Sequence, residues 1–414
     1  MKQFLLKNLC LLLFTCGSAA LSAQAVAIKT GIEVLKEQHF KILHGKRVGL
    51  ITNPTGVDNT MESTIDILYY APEVKLVALY APEHGVRGNA HAGESVNDAK
   101  DSRTGLSIFS LHGKTRKPTP EMLKGIDVLV YDIQDAGCRS FTYISTMGLA
   151  MEAAAENNVE FIVLDRPNPL GGLKVEGSLV EKGFTSFVSQ FSIPYIYGLT
   201  CGELALLLNG ENMLKKKCKL QVVAMREWKR NMTYEQTGLQ WIPSSPHIPQ
   251  PITSMFYPVS GILGELGYMS IGVGYTVPFQ LFAAEWIEAD KLARHMNALN
   301  LAGIYFRPVY FKPFYGIGQG KQLQGVQVHI MDYEKVALSE IQFYVMQEIA
   351  ALYPDKAVFK NADRERFNMF DKVCGSDFVR LAFAKNNRFD DIKDYWYSGV
   401  ERFKKQSQQY YLYE

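Results

Sequence analysis

Short apolar runs alternate with amphipathic stretches from Arg47 onward, and this alternation predicts the fold. Five runs have the composition of strands: RVGLITNPT, VKLVALYAPEHG, SIFSLHG, IDVLVYDIQD and EFIVLDRPNP. The stretches MESTIDILYY and TMGLAMEAAAENN lie between them and have helical spacing. Apolar strands separated by helices are typical of a parallel sheet that is covered on both faces. The pattern therefore predicts a doubly wound α/β domain.

A second region follows this alternation. TCGELALLLNGENML has helical spacing with Thr200 as a candidate N-cap, and KLQVVAM returns to a strand pattern. The next stretch, WIPSSPHIPQPITSMFYP, is rich in proline and predicts no regular structure. We place a boundary there, between a first domain at residues 24–240 and a smaller α/β domain at residues 241–414. The latter contains GVQVHIMD as a strand, SEIQFYVMQEIAALY as a helix, and a C-terminal helix with an aromatic tail that packs down.

The N-terminus predicts export. Lys2 precedes the apolar stretch FLLKNLCLLLFTCGSAALSAQA, which closes in small residues, so residues 1–23 are predicted to be a signal peptide cleaved after Ala23. An alternative is a lipoprotein signal with an acyl chain on Cys16, although the preceding LFT fits that pattern poorly. Both interpretations predict a periplasmic or otherwise exported protein, with no integral membrane span after leader removal.

Composition and cysteine spacing exclude several classes of function. The formal net charge is +2, which does not favour a nucleic-acid partner. Four cysteines remain after the leader, without a CxxC pair, so zinc is not predicted; one disulfide is allowed, with undetermined pairing. They are Cys138, Cys201, Cys218 and Cys374. No GxGxxG follows the first strand and no Walker motif occurs, so neither a cofactor nor a metal is predicted.

Polar side chains follow each of the five predicted strands. In open parallel sheets ligands bind beyond the carboxyl ends of the strands, so these residues predict a cleft. We expect Glu83, Asp132 and Asp165 to face one cavity, with Tyr or Trp rings of the second domain opposite. The alternatives are a cap or turn position for Asp165, a buried structural pair of Arg139 with Asp132, a core position for His84 and a turn position for His112. The strand-end residues are Asn53, Glu83, His84, Arg87, His112, Asp132, Gln134, Asp135, Arg139, Asp165, Arg166 and Asn168.

Three motifs, APEHGVRG, YDIQDAGCRSFTY and LDRPNPLGG, resemble those of the exo-β-N-acetylmuramidase family. Further blocks, such as YGLTCGELALLLNGE and LQGVQVHIMD, extend this resemblance from Thr30 to the C-terminal tyrosines. The resemblance implies release of N-acetylmuramic acid from the non-reducing ends of peptidoglycan fragments. It also implies a Rossmann-like domain plus a smaller second domain, with the active site in the cleft between them.

The resemblance implies roles for individual residues. Glu83 is the strongest candidate for a catalytic carboxylate, and glycoside cleavage needs a second group to stabilise or attack the anomeric carbon. That group is Asp132, Asp135, Glu265 or the 2-acetamido group of the substrate. Arg139 or Arg166 would clamp the lactyl carboxylate of muramic acid. The residues expected to shape the pocket are Asn53, His84, Arg87, Gln134, Arg139, Tyr143, Asp165, Arg166 and Asn168.

One block departs from the family pattern. Relatives commonly carry an acid and an arginine in a loop before a PF pair, whereas this chain has GELGYMSIGVGYTVPF. Glu265 retains the first carboxylate of that block, but Ile271 and Val273 replace the second acid and the arginine. Two hypotheses follow: a muramidase, or an exported peptidoglycan- or amino-sugar-binding protein with a non-catalytic cleft. Product analysis on a disaccharide that ends in muramic acid distinguishes them.

Overall fold

The computed structural model describes residues 28–87 and 99–414, so the predicted signal peptide and Cys16 lie outside the described residues. Within these ranges the largest sheet consists of β1 (Arg47–Thr52), β2 (Lys75–Ala81), β3 (Ala99–Lys100), β4 (Ser107–Ser110), β5 (Val128–Asp132), β6 (Glu160–Leu164) and β7 (Leu220–Val223). Their spatial order is β3-β4-β2-β1-β5-β6-β7. All neighbouring pairs are parallel except the antiparallel pair β3 and β4. The predicted mostly parallel sheet is confirmed.

Helices cover both faces of this sheet because its strands are apolar on both sides. Leu129 and Tyr131 of β5 belong to the core beneath α3 and α4, whereas Val128 and Val130 belong to the core beneath α1 and α2. Thr200 caps α4 by accepting a hydrogen bond from the backbone N–H of Glu203, as the sequence predicts. The four helices are α1 (Gly31–Glu37), α2 (Thr64–Tyr70), α3 (Tyr143–Glu156) and α4 (Cys201–Gly210).

The C-terminal region forms a smaller α/β unit. It begins with α5 (Pro251–Gly264) and contains the strands β8 (Leu281–Ala284), β9 (Ile304–Phe311) and β10 (Leu323–Ile330). These strands form an antiparallel sheet in the order β8-β10-β9. The remaining helices are α6 (Ala289–Ala298), α7 (Ile341–Leu352), α8 (Val358–Asn361), α9 (Phe367–Cys374), α10 (Phe378–Asn386), α11 (Asp390–Tyr397) and α12 (Val400–Ser407). Across both units, short 3-10 helices lie at Lys41–Leu43, Tyr234–Thr237, Pro354–Lys356, Arg364–Arg366 and Gln408–Tyr410.

The expectation that the whole proline-rich stretch is irregular is wrong for its second half. Pro251 is the first residue of α5, where a missing N–H costs no hydrogen bond. Pro258 lies inside the helix, a position that is normally unfavourable. The buried side chains of Phe256 and Val259 on either side of it belong to the main core of the second unit. Burial therefore overrides the local preference of proline.

Arg139 is buried and connects the first unit to the second. Its guanidinium donates to the backbone oxygens of Ser178, Ile193 and Val373, and its Nε donates to Ser189 Oγ at 3.1 Å. Val373 belongs to α9, whereas the other three partners lie between β6 and α4. Burial lowers the pKa of Arg139 to about 10, so the side chain stays charged at neutral pH.

The predicted aromatic tail packs against the first unit. The Tyr413 hydroxyl donates to Asp165 Oδ2 and accepts from the backbone N–H of Met225 at 3.0 Å. The guanidinium of Arg230 lies 3.5 Å from the centre of the Tyr411 ring, which is a cation–π contact. Burial raises the pKa of Asp165 to about 6. The tail therefore supplies a hydrogen bond to a carboxyl group in the interior.

The four cysteines of the body, Cys138, Cys201, Cys218 and Cys374, are buried, and none forms a disulfide within the described ranges. No helix among residues 28–87 and 99–414 is long and apolar enough to cross a membrane.

Tyr413→Phe removes the hydroxyl and leaves Asp165 and the Met225 N–H each without one partner. Leaving buried polar groups without a hydrogen-bond partner costs about 1–3 kcal/mol, so we expect the free energy of unfolding to fall by this amount. Denaturant unfolding of both proteins measures it. Tyr70→Phe is the matched control because Tyr70 is 63% exposed, and it should change stability by less than about 0.5 kcal/mol. Equal stability of Tyr413→Phe and wild type would show that the tail contact is unimportant.

Candidate active site

A cavity of about 410 Å³ lies between the carboxyl end of the parallel sheet and the second unit. This volume is within the range of small-molecule sites. The first unit contributes the turn after β2, the segment that leads into α3, and Val188. The second contributes residues 245–248, α5 and two later loops. The residues that line it include Glu83, His84, Ser140, Phe141, Thr142, Tyr143, Ser245, His247, Ile248, Tyr257, Gly261, Glu265, Ile271, Val273, Phe279, Gly316 and Ile317.

Glu83 reaches this cavity from a tight turn after β2. His84 has a φ of 73° and Gly85 a φ of 78°, so two consecutive residues adopt left-handed backbone. This conformation is unfavourable for a histidine and is the kind of strain that concentrates at functional sites. The Thr142 hydroxyl donates to Glu83 Oε2 at 2.8 Å instead of capping α3. The turn and this hydrogen bond hold the carboxylate at the cavity wall.

His112 lies behind this carboxylate. Its Nε2 is 3.9 Å from Glu83 Oε1, and its side chain is only 11% exposed. Burial lowers the pKa of His112, although the charge of Glu83 opposes that shift. The imidazole is therefore neutral at pH 7. The sequence suggested a turn residue at this position, and the structure adds contact with the leading candidate acid.

Glu265 reaches the cavity from the second unit, at the C-terminal end of α5. Tyr257, Gly261 and Glu265 recur at intervals of four residues, so they share one face of the helix. Burial raises the pKa of Glu265, and the nearby charge of Arg366 offsets part of that rise. The Tyr257 hydroxyl lies 3.1 Å from Ser140 Oγ of the first unit. Two carboxyl groups from different units thus line one cavity, an arrangement that most glycoside hydrolases use.

Comparison with known proteins decides the family. Residues 48–252 match the model of the N-terminal region of the exo-β-N-acetylmuramidase NamZ, and residues 255–413 match the model of its C-terminal region. The chain belongs to the NamZ exo-β-N-acetylmuramidase family. The resemblance inferred from the motifs is confirmed.

Relatives of known sequence or structure match nearly the whole chain. The chain is 41% identical to the peptidoglycan β-N-acetylmuramidase NamZ of Bacillus subtilis, over 95% of this chain and 93% of that protein. A crystal structure of a DUF1343 family protein from Bacteroides fragilis is 70% identical with a TM-score of 0.92, covering 94% of this chain and all of the other. A second from the same organism is 29% identical with a TM-score of 0.72, covering 94% and 99%. The predicted two-domain α/β fold is confirmed.

The expectation that Glu83, Asp132 and Asp165 share one cavity is wrong. Asp132 and Asp165 are fully buried and are not among the described residues that line this NamZ-family cavity. Asp132 pairs with Arg166 and accepts a hydrogen bond from the Thr64 hydroxyl. Asp165 accepts from the Thr200 hydroxyl at 2.7 Å. The start of α2 and Arg166 cover Asp132, whereas the tail and the start of α4 cover Asp165.

Of the remaining candidates of the first unit, His84 and Tyr143 line the cavity, whereas the others are not among the described residues of its wall. Arg139 and Arg166 donate hydrogen bonds to protein oxygens and are not among the described residues of the cavity wall, so the structure does not support either as the clamp for a lactyl carboxylate. Arg87 pairs with Asp101, with nitrogen–oxygen distances of about 3 Å. Three further side chains make contacts within the loops at the sheet edge: Asn53, Gln134 and Asn168.

Sequence reasoning missed most of the wall that the second unit supplies to the NamZ-family cavity. Tyr257 and His247 lie in the proline-rich stretch, whose composition predicts no regular structure. A helix that begins at Pro251 places Tyr257, Gly261 and Glu265 on one face, because these residues are spaced four apart. Ile271 and Val273, the positions that depart from the family pattern, do line the cavity, so its wall is apolar there.

Glu265→Gln tests the electrostatic cost of this carboxyl. Because burial raises its pKa, the folded protein holds the proton more tightly than the unfolded chain, and stability falls as pH rises through the raised pKa. The variant should therefore melt at a higher temperature than wild type at pH 8, with a smaller difference at pH 5. Glu401→Gln, at an 85% exposed side chain, is the control. A difference that is independent of pH would contradict this account.

Proposed function

We propose that this protein is an exo-acting glycoside hydrolase that releases N-acetylmuramic acid from the non-reducing ends of peptidoglycan fragments. The observation that carries the proposal is the match of both NamZ family models over residues 48–252 and 255–413, joined to a cavity lined by two carboxyl groups. The similarity to the B. subtilis peptidoglycan β-N-acetylmuramidase favours this function over a non-catalytic binding protein.

Glu83 is the proposed general acid, which protonates the oxygen of the leaving sugar. It sits at the cavity wall, its side chain is 19% exposed, and Thr142 orients one of its oxygens. The neutral imidazole of His112 lies near the other oxygen without adding a positive charge. A proton donor must be positioned within reach of the reacting oxygen, and a rigid turn provides this position.

Glu265 is the proposed second carboxyl group. Asp132 and Asp135 are held in the interior, where Arg166 pairs with the former and the Tyr197 hydroxyl donates to the latter. Burial raises the pKa of Asp135 to about 6. The four alternatives left by the sequence thus reduce to Glu265 and the 2-acetamido group of the substrate.

Glu83→Gln keeps the size of the side chain but removes the proton that it would donate. General acid catalysis contributes about 10²–10⁴-fold, so kcat on a disaccharide with N-acetylmuramic acid at its non-reducing end should fall by that factor. A substrate with a highly acidic leaving group needs less protonation, and the variant should lose less on it. Both rates are measured by release of the free sugar.

Glu73→Gln, at an exposed position beside β2, is the control and should retain wild-type rates. The melting temperature of Glu83→Gln shows whether the fold is intact. A folded Glu83→Gln variant with a near wild-type rate on the disaccharide would remove Glu83 from the acid role. A loss equal on both leaving groups would assign Glu83 to the second role and Glu265 to the acid.

We further propose that the protein is exported to the periplasm, where its product would enter cell-wall recycling. The support is Lys2, the apolar stretch after it and the small residues that end at Ala23. The intact mass of protein isolated from its host should correspond to a chain that begins at Gln24. A diacylglycerol on Cys16 would instead assign a lipid anchor, and a mature protein that retains Met1 would contradict export through this leader.

A further inference from the structure

A second cavity, of about 370 Å³, lies on the small antiparallel sheet. Its wall combines aromatic rings with hydrogen-bonding groups, which are Tyr275, Arg307, Tyr310 and Gln327. Val309 and Tyr275 pack there on a small cluster that contains Leu281 and Phe311, apart from the main core of the second unit. The catalytic proposal makes no use of this cavity.

Two chain segments connect this cavity to the candidate active site. Val273 lines the first cavity and Tyr275 lines the second, with only Gly274 between them. Because consecutive Cα atoms are about 3.8 Å apart, the Cα atoms of these two residues lie within about 7.6 Å of each other. The two cavities are therefore neighbours, separated by one turn of backbone.

The loop after β9 forms the other connection. Gly316 and Ile317 line the active-site cavity, whereas the ring of Phe314 stacks on Tyr275 with centres 5.7 Å apart. The Phe314 N–H donates to Gly274 O at 2.8 Å, which fixes this loop to the turn. Tyr315 Oη lies 3.1 Å from Nε2 of His247, another residue of the active-site wall. The rings of Phe314 and Tyr315 are 68% and 50% exposed, so they form an aromatic surface from one cavity toward the other.

The chemistry of this surface suits a glycan. Exposed aromatic rings offer flat apolar faces, and a few polar groups fix orientation, as in other small-molecule sites. Arg307 carries a planar guanidinium that matches a carboxylate, and its Nη2 donates to Gln327 Oε1 at 2.6 Å. An exo-acting enzyme holds only the terminal sugar in its pocket, so the rest of the chain must extend from the mouth of that pocket.

We infer that the two cavities form one groove, and that the second binds the glycan on the leaving-group side of the scissile bond. Its occupant would be a second disaccharide repeat, with the lactyl carboxylate of the internal muramic acid against Arg307. This inference rests on the proposed function, because it uses the same substrate and the same direction of cleavage. The groove would make the enzyme prefer longer fragments.

The test compares a disaccharide of N-acetylmuramic acid and N-acetylglucosamine with a tetrasaccharide of two such repeats. Wild type should show a kcat/KM about tenfold higher on the tetrasaccharide, equivalent to about 1.4 kcal/mol, through a lower KM. Tyr310→Ala and Arg307→Ala should each reduce this advantage and leave the disaccharide kinetics unchanged. Tyr310→Phe keeps the ring and should keep the advantage, and Tyr70→Ala, at an exposed tyrosine of α2, is the surface control.

Equal kcat/KM of wild type on both substrates would contradict the proposed groove. So would an undiminished preference for the tetrasaccharide in Tyr310→Ala and Arg307→Ala. A dimer of wild type that Tyr310→Ala dissociates would assign this surface to self-association through the edge strand β9 and would also overturn it. If wild type cleaves neither substrate, the proposed function fails, and calorimetric titration with the tetrasaccharide then decides the groove. Tighter binding by wild type and Tyr310→Phe than by Tyr310→Ala supports it, and equal binding refutes it.

Discussion

The buried charge of Arg139 is the constraint on which the junction between the two units depends. A guanidinium keeps its proton even when burial lowers its pKa to about 10, so it must be surrounded by acceptors. Carbonyl groups of Ser178, Ile193 and Val373 meet this need, and they come from segments far apart in the chain. Arg139 directly precedes Ser140 through Tyr143, which line the cavity. The geometry of that wall is therefore set by a charge that cannot leave the interior.

Two locally unfavourable features lie at the same cavity. His84 adopts left-handed backbone beside Glu83, and the carboxyl of Glu265 is buried enough to raise its pKa. Neither feature benefits the fold by itself, since a different residue at either position would relieve strain or desolvation. Proteins retain such costs at sites where function requires a fixed side chain. The rest of the fold, with its apolar strands and the capped helices α2 and α4, supplies the stability that tolerates them.

Much of the fold was predictable because the spacing and number of apolar residues along the chain determine its strands and helices locally. The strands β1, β2 and β5 and the N-cap Thr200 follow from such patterns. The site was harder to predict, because which polar groups at the sheet edge face the cavity depends on tertiary contacts. Asp132 and Arg166 neutralise each other inside the sheet edge, and no local pattern distinguishes them from Glu83. The prolines of α5 predict irregular structure, but the helix forms because its apolar side chains are buried in the second unit.

The contact between Tyr413 and Asp165 joins residues that are 248 positions apart. The chain must lose the entropy of closing this long loop before the contact stabilises the fold. Topologies that are rich in such contacts fold slowly. The described strands of the parallel sheet end at Val223, so they are synthesised before the second unit, but the contact of Asp165 with Tyr413 forms only after Tyr413 has been synthesised. Until then the carboxyl of Asp165 and the neighbouring face of α4 stay accessible, and a chain arrested at this stage presents an apolar surface to chaperones and to other copies of itself.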